Sequence, residues 1–166
     1  MLPAYIPNPA AALFGGGTPI DMGRSCRDGY RVFGDGKTWR GLILGVLAGI
    51  LTGLVMIWAR EFYGLSFLPS LTPLVVFLLS LGALLGDLVK SYFKRRLGKS
   101  PGDKWPVADQ YDLVAGAFLM VALFDPAWIM GALNAWILLT ILIVTPVLHR
   151  FVNYIGFWVG VKKVPW

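Results

Sequence analysis

Long apolar runs alternate with short basic stretches along this chain, and that pattern predicts membrane-spanning helices. Residues 41–59 and 67–86 carry no charged side chain. Within lipid, backbone N–H and C=O groups have no water to bind, so each run must satisfy them inside a helix. Three weaker apolar runs complete a predicted all-α, single-domain membrane bundle over residues 1–166. Its five predicted transmembrane helices cover residues 2–17, 41–59, 67–89, 106–124 and 127–149.

Prolines decide the limits of two predicted spans. Residues 113–124 alone are short for a span, but Pro106 is a favoured residue for the first position of a helix. A helix over residues 106–124 reaches about 28 Å, close to the ~30 Å thickness of the hydrocarbon core. The Asp-Pro pair at 125–126 then ends that helix. The first span, residues 2–17, contains three prolines and is barely long enough to cross.

Basic residues are concentrated in two predicted loops, 18–40 and 90–105, and after the last span. Such loops stay in the cytoplasm in multi-pass proteins. With five spans, this bias predicts an N-terminus outside, a C-terminus in the cytoplasm and both loops on the cytoplasmic side. A four-span alternative lays residues 1–17 on the cytoplasmic face. The basic residues concerned are Arg24, Arg27, Arg31, Lys37, Arg40, Lys90, Lys94, Arg95, Arg96, Lys99, Lys104, Arg150, Lys162 and Lys163.

Composition supports the assignment to a membrane. Hydrophobic residues make up 57% of the 166-residue chain and charged residues only 14%, with a mean hydropathy of +0.67; soluble domains average about 25% charged residues. The net charge of +6 suits contact with membrane lipids or with a polyanionic substrate, and we expect no nucleic-acid partner. The spacing of Gly45, Gly49 and Gly53 allows helices to approach closely, within the bundle or between subunits of a homo-oligomer.

Three aspartates are candidates for a metal site. Asp109 and Asp112 lie at i and i+3, so both carboxylates project from one helical face near the positive end of the helix dipole. Mg²⁺ prefers oxygen ligands, commonly one or two carboxylates together with substrate phosphates. Asp87 can join them from the preceding helix. The alternatives are that Asp109 and Asp112 only complement the dipole and that Asp87 only pairs with Lys90.

Cations beside these carboxylates are candidates for binding phosphate. On a continuous helix Asp87, Ser91 and Lys94 share one face at i, i+4 and i+7. Lys37 and Arg40 lie among glycines, which let a phosphate approach the backbone closely. Anchoring to lipid headgroups is the alternative for all these cations. His149, the single histidine, is expected at the membrane interface and not in catalysis.

Three short segments carry a family resemblance. Residues 37–41 read Lys-Thr-Trp-Arg-Gly and resemble the K-T-W-x-G segment of the CDP-diacylglycerol synthase family. Residues 86–98 resemble that family's G-D-L-x-x-S-x-x-K-R-x-x-G segment. Residues 109–112 read Asp-Gln-Tyr-Asp, where the family has D-R-x-D. The order and spacing of the three segments agree with the family.

Departures from the bacterial pattern resemble the archaeal branch of the family, the CDP-archaeol synthases. Gln110 replaces the arginine, Lys90 stands where a glutamate is usual, and the His-Gly-Gly of the bacterial enzymes is missing. The resemblance implies a multi-pass enzyme of the cell membrane whose active site faces the cytoplasm. It implies transfer of CMP from CTP to the phosphate of a prenyl-ether glycerol phosphate lipid, with Mg²⁺ as cofactor.

The resemblance also implies roles for individual residues. Alternatives to this function are a CDP-diacylglycerol synthase acting on acyl lipid and a small membrane transporter or lipid-binding scaffold that needs no nucleotide. The implied roles are catalysis for Asp109, Asp112 and Lys94, metal binding for Asp109, Asp112 and Asp87, and substrate binding for Lys37, Thr38, Arg40, Asp87, Ser91 and Arg95.

Overall fold

The computed structural model describes residues 1–161 and 164 and folds into a helical bundle. Lys162 and Lys163, two of the cations used to predict the orientation, lie outside the described residues. Between the first helices, residues 15–38 form a loop that contains only isolated β-bridges, Pro19 with Thr38 and Ser25 with Arg31. The helices are α1 (Leu2–Tyr5), α2 (Pro7–Phe14), α3 (Trp39–Phe62), α4 (Pro73–Arg96), α5 (Ala108–Phe124), α6 (Pro126–Ala132) and α7 (Ala135–Trp158).

The predicted all-α membrane bundle is confirmed, whereas the number of five spans is not. Within the described residues, α3, α4 and α7 are long and apolar enough to cross a bilayer. Together α5 and α6 make a fourth candidate, which bends by 119° at the break between them. An Asp-Pro pair forms that break, because proline has no N–H to continue a helix.

The first predicted span is a pair of short helices, α1 and α2. From Leu2 to Phe14 they extend about 20 Å, less than the ~30 Å hydrocarbon core. They run beside α3, where Gly45 and Gly49 face the carbonyl oxygens of Pro7 and Pro3. The pair therefore reaches from the first turn of α3 only to about its middle, and Met1 points away from the 15–38 loop.

Capping residues move several helix limits away from the predicted ones. The hydroxyl of Thr38 accepts a hydrogen bond from Gly41 N at 3.1 Å and begins α3. Thr72 does the same for Val75 N at 3.1 Å, so α4 begins at Pro73 and not near residue 67. Threonine is a favoured N-cap because its oxygen satisfies one of the free N–H groups of the first turn. Helix α4 then continues to Arg96, so Asp87, Ser91 and Lys94 lie on one continuous helix.

Two other predicted starts are wrong. Pro106 is not the first residue of α5, which begins at Ala108 after Val107 adopts a positive φ of 70°. The single helix predicted over 127–149 is divided into α6 and α7, because the Asn134 side chain accepts from Ile137 N at 2.9 Å and begins α7. An asparagine inside an apolar run is therefore a helix start here, as its capping preference allows.

Helices α4 and α5 approach closely through glycine. Gly86 of α4 contacts the carbonyl oxygen of Asp112, and Gly116 of α5 contacts the carbonyl oxygen of Gly82. A β-carbon at Gly86 or Gly116 would overlap these backbone atoms. Small residues at helix crossings permit such backbone contact in membrane bundles. The crossing therefore sets the distance between the charged residues of α4 and those of α5.

Asp21 organises the loop of residues 15–38. Its carboxylate accepts from the backbone N–H groups of Gly23, Phe33 and Gly34 at 3.0–3.1 Å. The guanidinium of Arg31 pairs with the same carboxylate at 2.5 Å. Burial alone would raise the pKa of Asp21, but these hydrogen bonds outweigh it and hold the pKa well below its usual value.

Arg96, the last residue of α4, fastens this loop to the bundle. Its Nη1 atom lies 2.6 Å from both carboxylate oxygens of Asp28. Its Nη2 atom donates to the carbonyl oxygens of Arg31 at 2.7 Å and Tyr30 at 3.1 Å. The guanidinium also lies over the ring of Tyr92, 5.2 Å from its centroid. The middle of the loop is thus held against the end of α4.

We predict that Gly86→Ala lowers the thermal unfolding midpoint of the purified protein. The added methyl group overlaps the Asp112 carbonyl, and overpacking of this kind costs roughly 1–3 kcal/mol. Gly131→Ala is the matched control, because nothing lies within 4 Å of a β-carbon there and alanine favours a helix over glycine. Equal midpoints for the two variants would contradict close packing at the α4–α5 crossing.

We predict that Asp21→Asn destabilises the fold by about 1.5–3 kcal/mol near pH 6, the range for hydrogen bonds to charged groups. A carboxyl group whose folded-state pKa is lowered stabilises fully above its unfolded pKa of about 3.9 and progressively less below it. The wild type should therefore lose stability more steeply below pH 4 than this variant. Unfolding midpoints between pH 3 and 6 measure this difference.

Asp35→Asn is the control for Asp21→Asn, since Asp35 pairs with the same arginine while its side chain is 82% exposed. We expect little change in its unfolding midpoint, because exposed ion pairs contribute little. A pH profile for Asp21→Asn that matches the wild type would refute the role of Asp21.

Candidate active site

Six charged side chains meet where the loop of residues 15–38 contacts α4 and α5. Each reaches the cluster from a defined position. Lys37 precedes the cap of α3, the α4 residues follow one helical face at i, i+3 and i+7, and the α5 residues lie at i and i+3 in its first two turns. We call this group the charged cluster: Lys37, Asp87, Lys90, Lys94, Asp109 and Asp112.

Lys90 lies at the centre of the charged cluster. Its ammonium nitrogen is 2.6 Å from Asp112 Oδ2, 3.0 Å from Asp87 Oδ1 and 3.5 Å from Asp109 Oδ1. The Lys90 side chain is 14% exposed. The pairing of Asp87 with Lys90, considered above as an alternative, therefore exists, and a single cation joins the three candidate metal ligands.

Two further lysines complete the cluster. Lys37 forms an ion pair with Asp87 and so ties the loop to α4. The Lys94 ammonium lies 2.7 Å from Asp109 Oδ1 and donates to the carbonyl oxygen of Asp103 at 2.6 Å. The other oxygen of Asp109 accepts from Trp105 N at 2.7 Å. Among the described residues, Asp112 forms its ion pair with Lys90 alone.

The cluster is electrically neutral, with three lysines facing three aspartates. Buried charges are tolerated when they are paired in this way. A nucleoside triphosphate or a lipid phosphate would add several negative charges, which these lysines cannot neutralise while they pair with carboxylates. An additional cation would offset the negative charge of such substrates at this site.

The aspartates fit a magnesium ion by the chemistry of their donors. Among the residues that the structure describes, no three His, Cys, Asp or Glu side chains are arranged to hold a metal, since Lys90 lies between the carboxylates. Asp112 Oδ2, however, is buried and has no hydrogen-bond donor besides this ion pair. Mg²⁺ commonly takes only one or two carboxylates and completes its coordination shell with water and phosphate. Asp109 and Asp112 can supply the two carboxylates.

A polar cavity opens on one side of the cluster. It consists of two adjoining chambers of about 90 and 180 Å³, and both are lined by Asn8, Lys37 and Asp87. The larger chamber is also lined by His149 and by Lys90. Polar side chains from α2, the loop, α4 and α7 thus surround a space large enough for ordered polar groups of a ligand.

An apolar cleft opens on the other side, between α4 and α5. Its volume is about 640 Å³, and Lys90 and Asp112 are its charged lining residues. Val89, Phe93 and Leu119 form part of its walls and are each more than half exposed. Large apolar side chains on the outside of a membrane bundle face lipid tails, so this cleft is accessible from the bilayer.

The remaining predicted site residues differ in their placement. Thr38 caps α3 and also lines the polar cavity. Arg40 is exposed and lines none of the cavities described here. Ser91 and Arg95 are buried on α4, and the Nε atom of Arg95 has no hydrogen-bond partner among the described residues. Arg95 therefore stays a candidate for binding an anion, whereas Arg40 is not brought into the site.

Sequence reasoning missed four residues that line the site. Lys90 was considered as a basic loop residue, as a departure from the bacterial pattern and as a partner of Asp87, but not as a site residue, and His149 was expected at the membrane interface. Asn153 follows His149 by one helical turn and lines the same chamber, and Asn8 extends into it from α2. Polar residues inside apolar segments are rare and usually functional, which was the available signal for both asparagines.

Comparison with known proteins identifies the family. A family model described as CarS-like CDP-archaeol synthase matches residues 1–166. Relatives named CDP-archaeol synthase, from Methanoculleus marisnigri and Methanoregula boonei, are 60% and 61% identical over 166 residues and cover 100% of both chains. A solved structure described as an intramembrane enzyme for archaeal membrane lipids biosynthesis is similar at 36% identity and a TM-score of 0.64, covering 87% of this chain and 89% of that one. The chain is therefore a multi-pass membrane nucleotidyltransferase and belongs to the CDP-archaeol synthase family.

Proposed function

We propose that this protein transfers CMP from CTP to the phosphate of a prenyl-ether glycerol phosphate, giving CDP-archaeol and pyrophosphate. One observation carries the proposal: the charged cluster lies between a polar cavity and an apolar cleft. A water-soluble nucleotide and a lipid that cannot leave the bilayer must meet at one point, and the cluster is that point. The name of the relatives, CDP-archaeol synthase, states the product, and the family resemblance implies CTP and the ether lipid phosphate as the two substrates.

The reaction needs positioning and charge neutralisation more than covalent help from the protein. An oxygen of the lipid phosphate attacks the α-phosphorus of CTP, a new P–O bond forms, and the bond to pyrophosphate breaks. Because the attacking phosphate is already anionic, no general base is required. In phosphoryl transfer, the protein contributes mainly by aligning the groups and stabilising charge.

The lysines are suited to hold phosphates. Lys37 lines both chambers of the polar cavity and is the lysine nearest the nucleotide in this proposal. Lys94 is buried beside Asp109 and can turn its ammonium toward a phosphate oxygen. Arg95 adds a buried guanidinium without a hydrogen bond at Nε. Charged hydrogen bonds of this type are about twice as strong as neutral ones.

Asp109, Asp112 and Asp87 would hold Mg²⁺. When bound there, the ion would neutralise triphosphate charge and make the α-phosphorus more electrophilic. The neutrality of the cluster supports a role for such an ion, because each lysine is already paired with a carboxylate. Asp109 is oriented for this role by Trp105 N, and Asp112 by its place at the α4–α5 crossing.

The orientation remains part of the proposal. We infer that the charged cluster faces the cytoplasm, because the basic loops lie at that end. The N-terminus points toward the outer face, since α1 and α2 run from the loop toward the middle of α3. CTP is then taken from the cytoplasm, and the lipid reaches the cleft from within the bilayer.

We predict that Asp109→Asn and Asp112→Asn each abolish formation of the CDP-lipid. Asparagine keeps the shape of the side chain but removes one charge from the metal site. The measurement is CTP-dependent product formation across a Mg²⁺ titration, with the ether lipid phosphate compared with a diacyl lipid phosphate. Excess Mg²⁺ should restore activity at most partly, because metal and triphosphate share ligands.

Asp125→Asn is the control for these variants. Asp125 lies at the opposite end of α5 and caps α6 by accepting from Trp128 N at 3.2 Å, a role that asparagine also performs. Near-normal turnover with an unchanged Mg²⁺ requirement in Asp109→Asn or Asp112→Asn would remove that residue from the metal site. Product formation from acyl lipid alone would contradict the ether-lipid assignment.

We predict that Ser100→Cys reacts with a membrane-impermeant thiol reagent only from the cytoplasmic side, and Ser66→Cys only from outside. Both serines are exposed and lie on loops at opposite ends of α4. The background is Cys26→Ser, which removes the single native cysteine. Labelling of both positions from the same side would refute α4 as a complete span.

A further inference from the structure

We infer that Lys90 binds the phosphate of the lipid acceptor and presents it to the nucleotide. This inference rests on the proposed function and assigns Lys90 a role that the family resemblance does not supply. Among the described residues, Lys90 alone lines both the polar cavity and the apolar cleft. Its side chain therefore borders both of the spaces that we propose for the two substrates.

The two substrates require two different routes to Lys90. CTP carries a triphosphate and a sugar, so it must approach through the polar cavity. The acceptor carries two long apolar chains, whose transfer from lipid into water would cost about 0.8 kcal/mol for each CH₂ group. It must therefore stay in the bilayer and enter the apolar cleft. Its phosphate then lies at the charged end of the cleft, beside Lys90 and Asp112.

An anionic phosphate needs a cation at that end of the cleft. Of the two charged residues that line the cleft, Asp112 repels the phosphate and Lys90 attracts it. Lysine carries a compact charge and three donors on a flexible stem, so its ammonium can exchange a carboxylate oxygen for a phosphate oxygen. From there it also reaches the chamber where Lys37 and Asp87 lie.

In the substrate-free state Lys90 neutralises Asp112, which forms no other ion pair among the described residues. Asp87 already pairs with Lys37, and Asp109 already pairs with Lys94. A cation that accompanies the nucleotide would neutralise these carboxylates and leave the Lys90 ammonium available to the acceptor phosphate. Lys90 can thus pair with either of two neighbouring anions, a carboxylate or the lipid phosphate.

The test separates binding of the nucleotide from use of the lipid. Lys90→Met should lower kcat/KM for the lipid phosphate by about 10- to 150-fold, the value of one charged hydrogen bond. The dissociation constant of CTP with Mg²⁺, measured by equilibrium binding without lipid, should change less than about fivefold. Lys99→Met is the control, because Lys99 lies just after α4 and outside both cavities. Wild-type turnover in the same assay reports on the proposed function separately.

Two results would overturn the inference. Unchanged use of the lipid phosphate in Lys90→Met, in a preparation where the wild type is active, would show that the acceptor does not need this cation. Equal losses of CTP affinity and lipid use would show that Lys90 only neutralises the aspartates of the charged cluster.

A second variant tests the same route if Lys90→Met does not fold. Ala115 is exposed and lines the apolar cleft, so Ala115→Phe fills the cleft without changing a charge. We expect the KM for the lipid phosphate to rise at least about tenfold with CTP binding unchanged. Leu47→Phe, on the exposed face of α3, is its control. A wild-type KM in Ala115→Phe would overturn the inference, because the acceptor would then not occupy this cleft.

Discussion

The mutual neutralisation of three aspartates and three lysines is the constraint on which this structure depends. Isolated charges at membrane depth are costly, and the cost is reduced when opposite charges pair closely. The pairing brings together one loop and two helices, because Lys37, Lys90 and Asp112 belong to different segments. The loop is therefore ordered by the same interactions that form the site. The hydrogen bonds of Asp21 within the loop and the contacts of Arg96 with it fix its distance from α4.

Glycine provides the geometry that makes this pairing possible. The ion pair of Lys90 with Asp112 spans the α4–α5 crossing and is only 2.6 Å long. Helices separated by larger side chains would hold these groups farther apart, since interaxial distances depend on the residues at the contact. Gly86 lies against the Asp112 carbonyl itself. The glycine therefore allows the α5 backbone that carries the aspartate to approach α4 closely. Close packing and charge placement are in this way one feature of the molecule.

The helical membrane fold and most of the charged cluster were predictable from the sequence, for identifiable reasons. Uncharged runs of sufficient length leave few alternatives in lipid, and the i, i+3 spacing of Asp109 and Asp112 determines that they share a face. Helix limits were less predictable, because Thr72 and Asn134 act as caps inside apolar stretches. The contribution of α7 to the polar cavity could not be read from local patterns, since it depends on how distant helices pack.

The position of Lys90 links the neutrality of the site to the pairing of two unlike substrates. In the present state its charge is shared among carboxylates, so neither the cavity nor the cleft offers a strongly positive surface to an anion. Under the proposed function, additional positive charge that enters with the nucleotide would free a lysine for the second substrate anion. Under the proposed function, acceptor binding would then become favourable once a metal-bound nucleotide is present. Under the proposed function, a charge-balanced cluster between the polar cavity and the apolar cleft would couple the occupancy of one space to that of the other through electrostatics.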